Sequence, residues 1–161
     1  MKKFQFSLAK LQSYKEQILE SEKNTLGILR RELNLLQLER EELVELIERL
    51  SRELGEIMTK GISPADLATR KRFITVKQQE AHQLGRAIAL KETQVEKQLQ
   101  VVIEATKECN TLEKLEERQL EEYKYAESKR EEQFIEEFVS NQRARSGSIQ
   151  GAQRGRKQKI V

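Results

Sequence analysis

His82, Cys109 and Asp66 are the only histidine, cysteine and aspartate in the chain, set among 26 glutamates. Nucleophilic or acid-base catalysis needs several polar groups converging in a pocket, and a structural metal site needs three or four ligands at short spacing. His82 has no second histidine or neighbouring thiol to share a metal, so it reads as a solvated side chain on a helix flank. Cys109 cannot form an internal disulfide and falls on an apolar stripe, where a thiol packs as a small hydrophobe. The many glutamate pairs are the expected dress of solvated helix faces and single out no acid-base dyad. GAQRGRK lacks the four-residue gap, the hydroxyl residue and the preceding strand of a phosphate-binding loop. The sequence therefore predicts no enzyme, no cofactor and no metal.

The elements that carry these residues follow from composition and spacing. Hydrophobic residues make up 37% of the 161 and charged residues 35%, with no tryptophan. Globular chains run nearer 45–50% apolar, and a profile rich in Glu, Lys, Arg, Leu and Gln belongs to long helices and coiled coils. High charge favours disorder only when it is unbalanced, and here 30 basic and 27 acidic residues leave +3. Leu26, Leu29, Leu33, Leu36, Leu43, Ile47, Leu50, Leu54 and Ile57 repeat every three or four residues, interrupted only at Arg40. A 3.5-residue repeat needs a partner helix wound around it to keep the seam closed. Phe4, Leu8, Leu11 and Ile18 keep the same spacing in another phase, which predicts a slip near Gly27 with local unwinding.

The chain's only proline stands in GISPAD. Gly61 suits the left-handed end of one helix, Ser63 the cap of the next, Pro64 its first position, and Asp66 completes a Ser-x-x-Asp capping box. A second stripe follows through Leu67, Ile74, Ala81, Leu84, Ile88, Val95, Val102, Cys109 and Leu112. A connection this short makes the two helices antiparallel neighbours. With the reversal centred near 61–62, facing residues sum to about 123, which sets Leu50 against Phe73 or Ile74, Leu36 against Ile88, Leu29 against Val95, Ile18 against Ala105, Leu11 against Leu112 and Leu8 against Leu115. The expected fold is all-α: a long two-helix antiparallel coiled-coil hairpin spanning 1–141, with helices 4–59 and 64–141 and a turn at 60–63. At ~1.5 Å per residue the helices measure about 80 and 115 Å, so the second overhangs the first. Residues 142–161 are expected to form a flexible, disordered basic tail.

A bare hairpin works through its faces, its ends or its stiffness. Phe4 and Phe6 lie at the opening with Leu120, Tyr123 and Tyr125, and Ile57, Met58, Ile62, Leu67 and Phe73 lie near the tip. Leu35, Leu38, Val44 and Leu46 widen the first stripe beyond what one partner helix covers. The tail carries Arg143, Arg145, Arg154, Arg156, Lys157 and Lys159 and no acid. It is short, has no interleaved aromatic residues and follows an acidic body, so no specific nucleic acid partner is expected, and an anionic membrane surface suits the same cations equally well. No stretch reaches the ~18 apolar residues of a membrane span, and the opening FQFSLAKLQSYK is no apolar leader, so a cytoplasmic protein is expected.

The opening FQFSLAKLQSYKEQ, two long helices around a short break, and LEKLEERQLEEYKYAESKREEQ in the second helix resemble the FliJ family of the bacterial flagellar protein export apparatus. The resemblance covers residues 4 to about 140. It implies a non-catalytic coiled-coil stalk, similar to the gamma subunit of rotary ATPases, which docks into the flagellar export ATPase ring, links it to the membrane export gate and serves export chaperones. It also implies a cytoplasmic protein held peripherally on the cell membrane at the flagellar base, acting in motility and chemotaxis. By that analogy Phe4, Phe6, Leu8, Leu11, Tyr123 and Tyr125 would enter the ATPase ring, Phe73 and Ile74 would be free for the gate, and Tyr14 is a further partner-binding candidate. A stalk of an injectisome-type secretion system and a self-associating structural coiled coil are the alternatives.

Overall fold

A computed structural model describes the backbone of residues 3–157 and the side chains of residues 3–143. Two helices make up the fold, α1 (Ala9–Lys60) and α2 (Pro64–Lys157), packed against each other as an antiparallel hairpin. Within it the chain forms two compact units: Lys10–Asn110, and Met1–Ala9 with Thr111–Val161.

The reversal lies in the first of these units and is built as its residue types require. α1 ends where Gly61 takes φ 101°, and the Gly61 N–H closes the last turn on the Ile57 carbonyl at 3.1 Å. The Ser63 side-chain oxygen then accepts a hydrogen bond from the Asp66 N–H at 3.1 Å, while its hydroxyl donates to the Asp66 carboxylate at 2.6 Å. One exposed N–H of the first turn is thereby satisfied, and the carboxylate sits at the positive end of α2. Such a cap contributes about 1 kcal/mol.

The seam inside Lys10–Asn110 has the expected register. The Lys15 ammonium donates to Glu108 at 2.7 Å and the Lys91 ammonium to Glu32 at 2.8 Å, each pair summing to 123. Leu50 and Leu54 share one hollow with Thr69, Arg70, Phe73 and Ile74, as the pairing of Leu50 with Phe73 or Ile74 requires. Leu26, Leu54, Ala81 and Cys109 are buried there, and Leu29, Leu33, Leu36, Ile74, Leu84, Ile88, Val95 and Val102 are half-buried.

Two expectations about α1 are corrected. The predicted phase slip near Gly27 is not there: covered positions continue in a single phase through Gln12, Lys15, Leu19, Glu22 and Leu26. Apolar spacing alone suggested a break because three of those positions are polar. Lys15 and Glu22 reach partners on α2, with the Gln98 amide donating to both the carboxylate and the backbone carbonyl of Glu22. Nor does α1 begin at Phe4. The first helical residue is Ala9, preceded by a turn in which the Ala9 N–H bonds the Phe6 carbonyl at 3.3 Å. Phe6 is buried at 7% exposure just ahead of that turn, so the stretch before Ala9 is held by packing and not by helix geometry.

In the second unit α2 runs on with every residue from 128 to 143 exposed, the overhang expected from the difference in helix lengths. Helical backbone continues to Lys157, across the stretch where the sequence reading places the flexible tail. Gly147 and Gly151 weaken a helix by about 1 kcal/mol each relative to alanine without forbidding helical backbone. The remainder of that expected tail, 158–161, lies outside the described residues.

Candidate partner-binding surfaces

No group of three or more metal-ligating side chains occurs among the described residues, and none of their buried side-chain polar atoms lacks a partner. Exposed apolar side chains are the remaining candidates for contact with partners.

In the unit formed by Met1–Ala9 and Thr111–Val161, the non-helical start of the chain meets α2. The Phe4 ring lies 5.7 Å from the Tyr123 ring at 53°, a tilted aromatic pair worth about 0.5–1.5 kcal/mol beyond its burial. Phe6 is buried, while Leu8 and Tyr123 are half-buried. Past this cluster Tyr123, Ala126, Arg130, Phe134 and Ile135 line a hollow edged by Glu127 and Glu131. Phe134, Ile135, Phe138 and Val139 follow, with Phe134 70% exposed. A four-residue step places Phe134 over Phe138 and Ile135 over Val139, so they form one apolar row on the helix surface. Glu131, Glu132, Glu136 and Glu137 are interleaved with it. Tyr125 is 64% exposed and does not join the Phe4 cluster; instead the Lys129 ammonium sits 5.1 Å from its ring centre, one turn along the same helix.

In the unit Lys10–Asn110 the remaining sequence candidates separate. Leu11 and Tyr14 are both exposed on α1. Phe73 is exposed, with the Lys77 ammonium 5.6 Å from its ring centre, and Ile74 is half-buried in the hollow beneath Leu50 and Leu54. Met58 and Val76 are exposed as well. Of the residues expected to widen the first stripe, Leu35 and Leu38 are exposed, and Val44 and Leu46 are half-buried over α2. His82 is exposed with its Nε2 3.2 Å from the Arg86 guanidinium, and Cys109 is covered to 4% exposure.

Thus the structure brings Phe4 and Tyr123 together, with Phe6 and Leu8 in the same unit, and leaves Leu11, Tyr14, Phe73 and Ile74 in the other. Sequence reasoning passed over Ile135 and Val139 as surface candidates, although FIEEFV shows both i,i+4 pairs in six letters. It also passed over Leu90, which stands alone and exposed on α2.

Among the described residues no helix is long and apolar enough to cross a membrane. A family model described as Flagellar FliJ protein matches residues 4–148. No curated protein and no solved structure matches the chain.

Proposed function

Since the chain belongs to the flagellar FliJ family, a component of flagellar protein export, we propose that it acts there as a non-catalytic coiled-coil stalk that docks into the export ATPase ring and links it to the membrane export gate. The ring would receive the unit holding Phe4, Phe6, Leu8, Tyr123 and Tyr125, with Leu11 and Tyr14 as further contacts on α1. The gate would meet the surface around Phe73 and Ile74. Export chaperones are further partners, and the working place is the cytoplasmic face of the cell membrane at the flagellar base.

One observation carries the reading: the Phe4–Tyr123 pair is succeeded along α2 by four exposed apolar side chains that nothing in the hairpin covers. A contiguous apolar surface rimmed by charge is the usual mark of a partner site. A helix whose backbone bonds are all internal presents such a row at fixed spacing, which a flexible linker cannot do.

The test is co-purification of the export ATPase with Phe134→Ala/Phe138→Ala and, separately, Phe4→Ala/Tyr123→Ala. Both pairs should reduce binding at least tenfold, the scale of one or two truncated interface anchors, with helical circular dichroism unchanged for the exposed pair. Wild-type binding by both variants would overturn the docking assignment.

A further inference from the structure

The half of the seam contributed by α1 is nearly that of a self-pairing helix. From Leu19 to Ile57 the seam positions, at alternating steps of three and four, hold leucine or isoleucine except at Glu22 and at Arg40, which is exposed, and Lys15 lies one step before Leu19. Two copies of such a helix, side by side and parallel, would set each residue against its own counterpart, leucine on leucine through most of the length.

The three charged exceptions separate that arrangement from the hairpin. In a parallel pair Lys15 would face Lys15, Glu22 would face Glu22 and Arg40 would face Arg40, placing like charges in partly dehydrated seam positions. In the hairpin Lys15 and Glu22 each bond a neighbour on α2, and Arg40 keeps its charge exposed. Lys15 donates to Glu108 at 2.7 Å. Glu22 accepts from Gln98 twice, once at its carboxylate and once at its backbone carbonyl. Arg40 is exposed in the hairpin, with its Nε beside Gly85 of α2, where an added methyl group would make ordinary contact at 3.6 Å. All six residues lie in the unit Lys10–Asn110.

We infer that Lys15, Glu22 and Arg40 are partner-selecting residues: they hold the chain in its own hairpin by making parallel self-association of α1 unfavourable. Discrimination of this kind comes as much from repulsion in the wrong pairing as from attraction in the right one. The inference does not depend on what the hairpin binds in the export apparatus.

The experiment uses the full chain carrying Lys15→Leu, Glu22→Leu and Arg40→Leu together, in a Cys109→Ser background that also bears Leu29→Cys. Residue 29 faces itself in a parallel pair and α2 in a hairpin. The same cysteine reporter without the three leucines is the control. Light scattering should give the 18.9 kDa monomer mass for the control and twice that mass, rising with concentration, for the leucine variant. Mild oxidation should then link residue 29 between chains in the leucine variant alone. A leucine variant that stays monomeric overturns the inference. So does a dimer that forms no such link, because it would be an exchanged hairpin. As a second variant, Lys15→Glu with Glu108→Lys preserves the cross-helix pair and the self-repulsion, and must remain monomeric. If that variant dimerises, the specific charge pattern is not what selects the partner.

Discussion

Replacing Gly61 by alanine adds one methyl group with open space around it, since nothing lies within 4 Å of the added carbon. The consequence is therefore conformational alone. At φ 101° an L-residue with a Cβ is in a region that only glycine enters readily, and holding it there costs about 1–3 kcal/mol. Alanine also restricts the unfolded chain, which returns about 0.4–1 kcal/mol. The net loss is about 1–2 kcal/mol. Gly55 supplies the opposite case from within α1: an added methyl again meets nothing within 4 Å, the backbone is helical, and alanine should gain about 1 kcal/mol from helix propensity. Urea unfolding followed by the helical circular dichroism signal measures both. With a slope of about 1–3 kcal/mol per molar, Gly61→Ala should lower the midpoint by about 0.5–1 M and Gly55→Ala should raise it by nearly as much. A Gly61→Ala midpoint at or above that of the native chain would refute the account of the reversal, whatever Gly55→Ala does.

The seam and the pH response give two further predictions. Leu54, 8% exposed, should cost about 2–3 kcal/mol when cut to alanine, and Leu35, 67% exposed, less than about 0.5 kcal/mol; equal losses in urea unfolding would show that burial at the seam is not what holds the helices together. The hydrogen bond and charge of Glu108 hold the Lys15 ammonium above the ordinary lysine range. Since the folded value then exceeds the unfolded one of about 10.4, the pair's contribution is complete below that pH and fades as pH rises through the folded value. Both side chains are partly exposed, so the effect is small and screened by salt. The thermal midpoint of the native chain should drop faster than that of Lys15→Met across this alkaline window, and parallel profiles would refute it.

What could be read from the letters alone was whatever local rules determine. Gly61, Ser63, Pro64 and Asp66 each have a narrow conformational use, and their order specified a stop, a reversal and a start that the structure reproduces. Antiparallel register followed from the short turn, as Lys15 with Glu108 and Lys91 with Glu32 demonstrate. The failure at Gly27 has a physical cause. A periodicity search scores only apolar residues, whereas Lys15 and Glu22 occupy covered positions by resting their methylene stems on the seam and bonding their heads across it. The helix start was missed because the burial of Phe6 is a long-range event that no local propensity encodes. The expected neighbourhood of Phe4 and Tyr123 at the opening is present as a tilted ring pair. The overhang that exposes Phe134, Ile135, Phe138 and Val139 was already implied by the helix lengths, and Ile135 and Val139 were missed because attention went to the aromatic residues at the hairpin's opening.

Five residues are buried among those described, and no side chain is fully enclosed. A two-helix ribbon has no interior in the globular sense: each layer leans only on the layers directly before and after it, so stability is distributed like links in a chain and is not concentrated in a nucleus. Such an object yields by unzipping. Amide exchange should therefore be graded along the helices, slowest around Leu26 and Leu54 and fastest toward the part of α2 where every residue from 128 to 143 is exposed.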